Sequence, residues 1–205
     1  MSSHLPILYS FRRCPYAMRA RLALYSSKIS HEHREINLKN KPLEMLAISQ
    51  KGTVPVMFLE NGDLLEESLD IMKWAFKISN LPTDDVQLIQ ENDTTFKQAL
   101  DRYKYPGRYA EEIGINYQEE CEYFLQKLEN QLSPFLRGNT ISFLDLAIFP
   151  FVRQFSMVNP DWFEIQPYPH IKVWLRSFIS SQLFEEVMQK FLFWTPENKP
   201  SLVLF

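Results

Sequence analysis

The chain has 205 residues, 45% of them hydrophobic and 23% charged, with a formal net charge of −3. That length can hold one large domain or two small ones around a sizeable core, and the mildly acidic balance carries no electrostatic footprint for nucleic acid. No apolar run approaches the ~20 residues of a membrane span, and the opening MSSHLPILYSF lacks the charged start and long apolar core of a secretory leader.

Two cysteines, Cys14 and Cys121, are too few for a disulfide framework. A reducing, cytoplasmic setting is therefore expected, in which cysteine chemistry is more often catalytic than structural. Residues 5–11 form an apolar, strand-like run. A helical pattern follows, with Met18, Leu22 and Tyr25 on one face and Arg19 and Arg21 turned elsewhere. Cys14 stands at this strand-to-helix junction, and Pro15 suits the first helical position, where a missing N–H costs nothing. The sulfur of an N-cap cysteine lies beside unpaired backbone N–H groups and the positive end of the helix dipole. With Arg12 and Arg13 adjacent, this setting favours the thiolate, the reactive form.

Residues 30–38 alternate and read as a half-exposed strand, with His31 and His33 as exposed strand residues. Pro42 opens a short helix over 43–49, and residues 50–53 form a turn. Residues 54–59 read as a strand with Pro55 near its start, where strands tolerate proline. Asn61-Gly62 is the strongest hairpin signal, leading into a short return strand at Leu64-Leu65. Glu66, Glu67 and Ser68 precede an amphipathic helix over 69–78, with acidic residues at its positive end. Residues 1–79 thus read as a βαβαββα domain of α/β class.

Residues 80–84 form a linker, and 85–205 an all-α domain with helical periods over 86–103, 118–136, 143–155, 170–178 and 183–193. The tail from 195 to 205 reads as irregular. Ser142-Phe143-Leu144-Asp145 is a capping box, a structural device rather than a catalytic Ser/Asp pair, since no histidine is placed to complete one. His4, His31, His33 and His170 lack metal-ligand spacing, so no metal is expected. Trp162, Trp174 and Trp194 read as core.

These pieces resemble the glutathione transferase superfamily, in its cysteine-type members (the omega class and its bacterial relatives). Cys14-Pro15-Tyr16-Ala17 is similar to their active-site motif, where most other classes carry Tyr or Ser. The stretch over 37–42 resembles the omega-class segment whose last lysine, here Lys41, contacts glutathione. Thr53-Val54-Pro55 matches the loop with a cis-proline, and Glu67-Ser68 the acidic–Ser pair that holds the γ-glutamyl end. The spacings among these four motifs agree with the family, and Ser142 to Asp145 matches the capping box of its core helix.

The resemblance implies the glutathione transferase fold: a thioredoxin-like N-terminal domain, a linker and an all-helical C-terminal domain. It implies Cys14 as nucleophile and Lys41, Val54, Pro55, Glu67 and Ser68 as the glutathione site. In that site Val54 pairs its backbone with the cysteinyl unit, Lys41 meets the glycyl carboxylate, Ser68 and its helix N-terminus take the γ-glutamyl carboxylate, and Glu67 the ammonium. It also implies glutathione as co-substrate, a small-molecule or glutathionylated second substrate, and a homodimer.

Position 17 is alanine, so no resolving thiol lies in a C-x-x-C motif, and glutathione is the obvious external source. The expected activity is thiol transfer or reduction through a Cys14–glutathione mixed disulfide, as in deglutathionylation or dehydroascorbate reduction. Two alternatives are conjugation of glutathione to an electrophile and a non-catalytic binding module. Conjugation needs a hydroxyl to stabilise glutathione's thiolate, and none of Tyr9, Ser10 or Tyr16 clearly takes that role. Cys121, flanked by Glu119, Glu120 and Glu122, should have a raised pKa and a structural role. A co-substrate pocket is expected between the domains, with Tyr16, Tyr103, Tyr105 and Arg108 as candidate lining.

Overall fold

The computed structural model describes residues 5–111 and 114–205; His4 falls outside them. The chain divides into two compact units, Met1–Ser79 with Ser181–Phe205, and Asn80–Ser180. The first boundary falls where the linker begins. Residues 181–205, read from the sequence as the end of the helical domain, instead pack with the first unit.

The first unit is built on a sheet of order β4-β3-β1-β2-β5. Its strands are β1 (Ile7–Ser10), β2 (His31–Glu35), β3 (Val56–Phe58), β4 (Leu64–Leu65) and β5 (Ser201–Val203). β1 and β2 run parallel, joined through helix α1 (Pro15–Ser26), and the other neighbours are antiparallel. Helix α2 (Leu43–Ile48) follows β2, and α3 (Ser68–Phe76) follows the β3–β4 hairpin. The Asn61-Gly62 turn forms as expected: Gly62 takes φ +90°, and Asn61 Oδ1 accepts the Asp63 N–H at 3.1 Å.

The tail departs from its expected irregularity. β5 caps the sheet edge by pairing His31 with Val203 and His33 with Ser201. Helix α10 (Gln182–Val187) packs on α1, as does α3. The helical run expected over 183–193 stops at Val187, and the chain then passes along β2. There Phe191 stacks on His33 at 4.2 Å, and the Trp194 N–H donates to the Glu35 carbonyl at 2.7 Å.

The assignment of His31 and His33 to solvent is corrected here, and the two arginines turned from the apolar face of α1 are buried as well. Arg19 and Arg21 are 0% and 1% exposed, because α1 is covered by the sheet, α3 and α10 and keeps no solvent face. His31 and His33 are likewise buried: Tyr25 of α1 meets the His31 ring edge-on at 6.2 Å, and Phe191 of the tail lies on the His33 ring. His31 Nδ1 lies 2.9 Å from the Ile29 carbonyl, so Nδ1 holds the proton and donates it. Burial pushes the pKa of His31 down to about 4, and that of His33 in the same direction.

The folded state therefore holds His31 neutral while the unfolded chain protonates it near pH 6.5. This contribution to stability is complete above pH 6.5 and is lost as pH falls towards 4, by about 3 kcal/mol in all. We expect thermal midpoints measured from pH 7 to pH 4 to fall more steeply for the wild type than for His31→Gln. Parallel curves would remove His31 from the acid response.

The second unit comprises α4 (Thr83–Glu91), a π turn over Asn92–Phe96, α5 (Lys97–Lys104), α6 (Tyr117–Gln131), α7 (Phe143–Ser156), α8 (Pro160–Ile165) and α9 (Pro169–Ile179). Among the described residues none of its helices is long and apolar enough to cross a membrane. The core helix is α7, with residues 144–152 all buried. Phe149 stacks on Phe178 at 4.3 Å and meets Trp174 edge-on at 5.9 Å. Trp174 is core as expected, whereas Trp162 and Trp194 are only half-buried. The capping box forms: Ser142 Oγ accepts the Asp145 N–H at 3.3 Å, and Asp145 Oδ2 accepts the Ser142 N–H at 2.9 Å.

Candidate active site

Cys14 is the N-cap of α1, with Pro15 at the first helical position. The backbone there is extended (φ −73°, ψ 124°), which ends the strand-to-helix loop with the thiol at the mouth of the helix. The loop is a tight turn, the Cys14 N–H donating to the Phe11 carbonyl at 3.0 Å. The thiol is half-buried and packs against a small apolar cluster that includes Ala17, Ile36, Met45 and Val54.

Val54–Pro55 is cis, the geometry the family resemblance implies, and Cys14 Sγ lies 3.7 Å from the Val54 carbonyl. The turn just before it depends on Gly52, whose φ of +59° suits glycine. A Cβ at Gly52 would lie 3.3 Å from Leu46 and 3.5 Å from Lys41 Nζ, so the half-buried Lys41 side chain lies over this turn. Lys51, next along, pairs with Glu67 Oε1 at 2.7 Å. Through these contacts the 41, 51–55, 67–68 and 14 segments form one continuous surface of the first unit.

Glu67 is the N-cap of α3, and Ser68 occupies the first helical turn rather than the cap. Ser68 is 5% exposed, and its hydroxyl accepts from Arg19 Nη1 at 3.4 Å. Glu67 keeps most of its side chain in solvent, and its ion pair with Lys51 is an exposed one, hence weak. Arg19 also lies over the Tyr16 ring at 5.6 Å.

The remaining candidates sort differently. Tyr9 is 2% exposed, and its hydroxyl accepts from Arg34 Nη1 at 2.6 Å. Burial raises its pKa, with Arg34 opposing. Ser10 is fully buried, its hydroxyl taken by Arg21 Nη1 at 2.5 Å. Cys121 is 0% exposed in the second unit, its pKa pushed up to about 12 by burial first and by Glu120 and Glu122 second. The acidic neighbours noted in the sequence are thus the smaller cause.

Tyr103, Tyr105 and Arg108 belong to the second unit, where α5 ends at Lys104 and a 3₁₀ turn covers Pro106–Arg108. Tyr103 tilts against Phe155 at 5.6 Å and hydrogen-bonds Asn159. Arg108 stacks on Tyr105 at 4.3 Å. Among the described residues no cluster of three or more His, Cys, Asp or Glu side chains has metal-holding geometry.

Sequence reasoning missed two groups at the thiol loop, Arg21 and Glu35. Glu35 Oε1 accepts the Arg12 N–H at 2.7 Å and Oε2 lies 3.2 Å from His33 Nε2. The lowered pKa of His33 makes the latter a hydrogen bond from a neutral imidazole rather than an ion pair. The available signal was a pair of arginines two apart inside an otherwise apolar helix, a pattern that is costly to bury without partners.

Two family models match the chain: the glutathione S-transferase N-terminal domain over residues 8–83 and the C-terminal domain over residues 93–177. Glutathione S-transferase omega-1 of Rattus norvegicus is 26% identical over 93% of this chain and 87% of its own length. Glutathione S-transferase U22 of Arabidopsis thaliana is 30% identical over 73% of each. Among solved structures, a glutathione transferase family member from Pseudomonas fluorescens, with two glutathione bound, aligns with a TM-score of 0.76 and 15% identity over 92% of this chain and 94% of that one. Glutathione transferase Omega 3C from Trametes versicolor aligns with a TM-score of 0.71 and 17% identity over 91% and 90%. With two domain models along it and a relative at 30% identity over 73% of each chain, the chain belongs to the glutathione S-transferase family.

Proposed function

We propose that this protein is a glutathione-dependent thiol transferase, with Cys14 as the nucleophile. The observation that carries the reading is the Cys14 thiol at the N-cap of α1, 3.7 Å from the Val54 carbonyl, with a buried alanine at position 17. The likeness to omega-class relatives supports the subtype.

The reaction runs in two displacements. The Cys14 thiolate attacks the glutathionyl sulfur of a mixed disulfide, forming Cys14–S–S–glutathione and releasing the substrate thiolate. A glutathione thiolate then attacks the bound glutathionyl sulfur, giving glutathione disulfide and regenerating the Cys14 thiolate. Each turnover consumes one glutathione: its sulfur and the substrate's glutathionyl sulfur leave as glutathione disulfide, and the substrate thiolate takes up the proton that glutathione lost. An external thiol is required because Ala17 leaves no resolving partner and Cys121 is buried.

Glutathione would lie along the surface from Lys41 to Ser68. Val54 and Pro55 face its cysteinyl unit, Ser68 and the α3 N-terminus take its γ-glutamyl carboxylate, Glu67 takes the ammonium, and Lys41 the glycyl carboxylate. The ammonium competes with Lys51 for Glu67, and Lys51 is exposed and free to swing away. Tyr16, Tyr103, Tyr105 and Arg108 are the proposed lining for the second substrate. The competing reading, conjugation to an electrophile, is disfavoured because Tyr9 and Ser10 are buried and held by arginines. A homodimer and a cytoplasmic setting complete the proposal. Sedimentation at two concentrations checks the first, and imaging of a tagged chain the second.

The test is a paired assay of glutathione-dependent reduction of a small mixed disulfide and of electrophile conjugation. Reduction should dominate; binding without either activity would favour the binding-module reading. Within the same assay, Glu67→Gln should raise the KM for glutathione about tenfold or more with kcat little changed, since a charge-assisted contact to the ground state is lost. An unaltered KM would take Glu67 out of the glutathione site.

A further inference from the structure

Arg21 is 1% exposed, and its guanidinium is consumed by the chain around it. Nε donates to the Val187 carbonyl at 3.0 Å, Nη1 to Ser10 Oγ at 2.5 Å and to the Phe11 carbonyl at 3.4 Å, and Nη2 to the Arg12 carbonyl at 2.7 Å. The Phe11 carbonyl is the one that accepts the Cys14 N–H. From the other side, Glu35 Oε1 accepts the Arg12 N–H at 2.7 Å. The peptide groups on both sides of Arg12 are thus fixed by buried ions two residues before the thiol.

An apolar side chain would pack α1 at far lower desolvation cost than a guanidinium. Burial brings the pKa of Arg21 down to about 10, and Glu35, then Cys14 and Tyr25, oppose that shift while Arg12 adds to it. At neutral pH Arg21 remains a cation, and Coulomb interaction is mutual: a thiolate that favours the guanidinium is favoured by it. The other charged or titratable groups around this pair are Glu35, His31 and His33 on β2, Arg12 on the loop, Tyr25 on α1, and Glu186 on α10, which acts on Tyr25.

We propose that Arg21 is the positioning residue of the Cys14 site: it locks the Phe11 and Arg12 carbonyls and supplies a fixed positive charge beneath the loop that carries the thiol, with Glu35 as counter-ion and second anchor. Residues 181–205 take part as the foundation of both ions, through the Val187 carbonyl on Arg21 and the Trp194 N–H on the Glu35 carbonyl. The inference rests on the reading of Cys14 as nucleophile.

Alkylation of Cys14 by iodoacetamide tests it on the full chain without glutathione, as rate against pH, with the modified peptide identified by mass. Arg21→Met should move the midpoint up and slow alkylation at pH 7 about tenfold. Glu35→Gln keeps an acceptor for the Arg12 N–H but removes the anion, so its midpoint should move down. Arg21→Lys keeps the charge without the fork and should stay near the wild type.

Opposite displacements on removing the cation and the anion are an electrostatic signature; general loosening moves both variants the same way. Midpoints that coincide with the wild type in folded protein, or that shift together, overturn the proposal. Should Arg21→Met not fold, a Glu35→Gln midpoint at or above the wild type overturns it alone. A wild-type Cys14 no more reactive than a free peptide thiol would instead sink the functional reading. A reactive Cys14 with unmoved variants removes only the role of Arg21.

Discussion

Replacing Cys14 with alanine should lower glutathione-dependent disulfide reduction by at least about 10³-fold, because the covalent intermediate has no other thiol to form on. Cys121 cannot substitute: it is fully buried and its pKa is pushed up to about 12. Folding should be unaffected, since the Cys14 side chain is half-buried and its contact to the Val54 carbonyl is a long 3.7 Å. Glutathione binding should survive as well, as the surface from Lys41 to Ser68 remains. Rates of disulfide reduction and of electrophile conjugation, measured on wild type and Cys14→Ala, separate the two mechanisms. Conjugation that persists or improves alongside unchanged reduction would mean that glutathione's own thiolate does the chemistry and that the mixed-disulfide mechanism is wrong.

The second large effect concerns stability. Asp145 is fully buried, and its Oδ1 accepts the Leu136 N–H and the Trp174 Nε1–H, each at 2.9 Å. Its Oδ2 accepts the Ser142 N–H at 2.9 Å and the Ser142 hydroxyl. One carboxylate thereby ties the start of α7 to the preceding loop and to α9. Asp145→Ala strands these donors away from water, at about 3–5 kcal/mol, or a thermal midpoint at least about 12 °C lower for the second unit. Asp145→Asn should cost less than Asp145→Ala, because its carbonyl oxygen still accepts from Leu136 and Trp174, and the remaining cost comes from its amide NH2, a donor that cannot accept the Ser142 N–H. If Asp145→Asn melts like the wild type yet loses activity, the residue is chemical rather than structural.

Short-range signals were legible and long-range ones were not. Cys14-Pro15, the Asn61-Gly62 turn and the capping box each state their geometry within a few residues, and each is present. Periodicity misled at His31 and His33, because it equates polarity with exposure, and it left the burial of Arg19 and Arg21 unread. The partners that make burial tolerable lie far along the chain, such as Val187 for Arg21, 166 positions away, and Ser68 for Arg19, 49 away. β5 failed for the same reason: three residues reveal a strand only through the partner they pair with. Helix α8 was legible but overlooked, since Asn159-Pro160 is a cap followed by proline at the first helical position. The arrangement of Lys41, Lys51 and Glu67 around Gly52 emerges only from the folded turn.

The discontinuous make-up of the first unit has a consequence for the order in which the protein is made. Translation delivers β1 to β4 first, then the whole of Asn80–Ser180, and only afterwards the residues that complete the sheet. Until then β2 is a bare edge and His33 lacks Phe191 over its ring, the kind of edge that recruits stray strands. Arg21 has no Val187 carbonyl to hold, and Glu35 lacks Trp194. A nascent chain therefore carries its thiol before it carries the frame around Arg21, and the proposed nucleophile would mature late, after release of the segment that follows the helical unit.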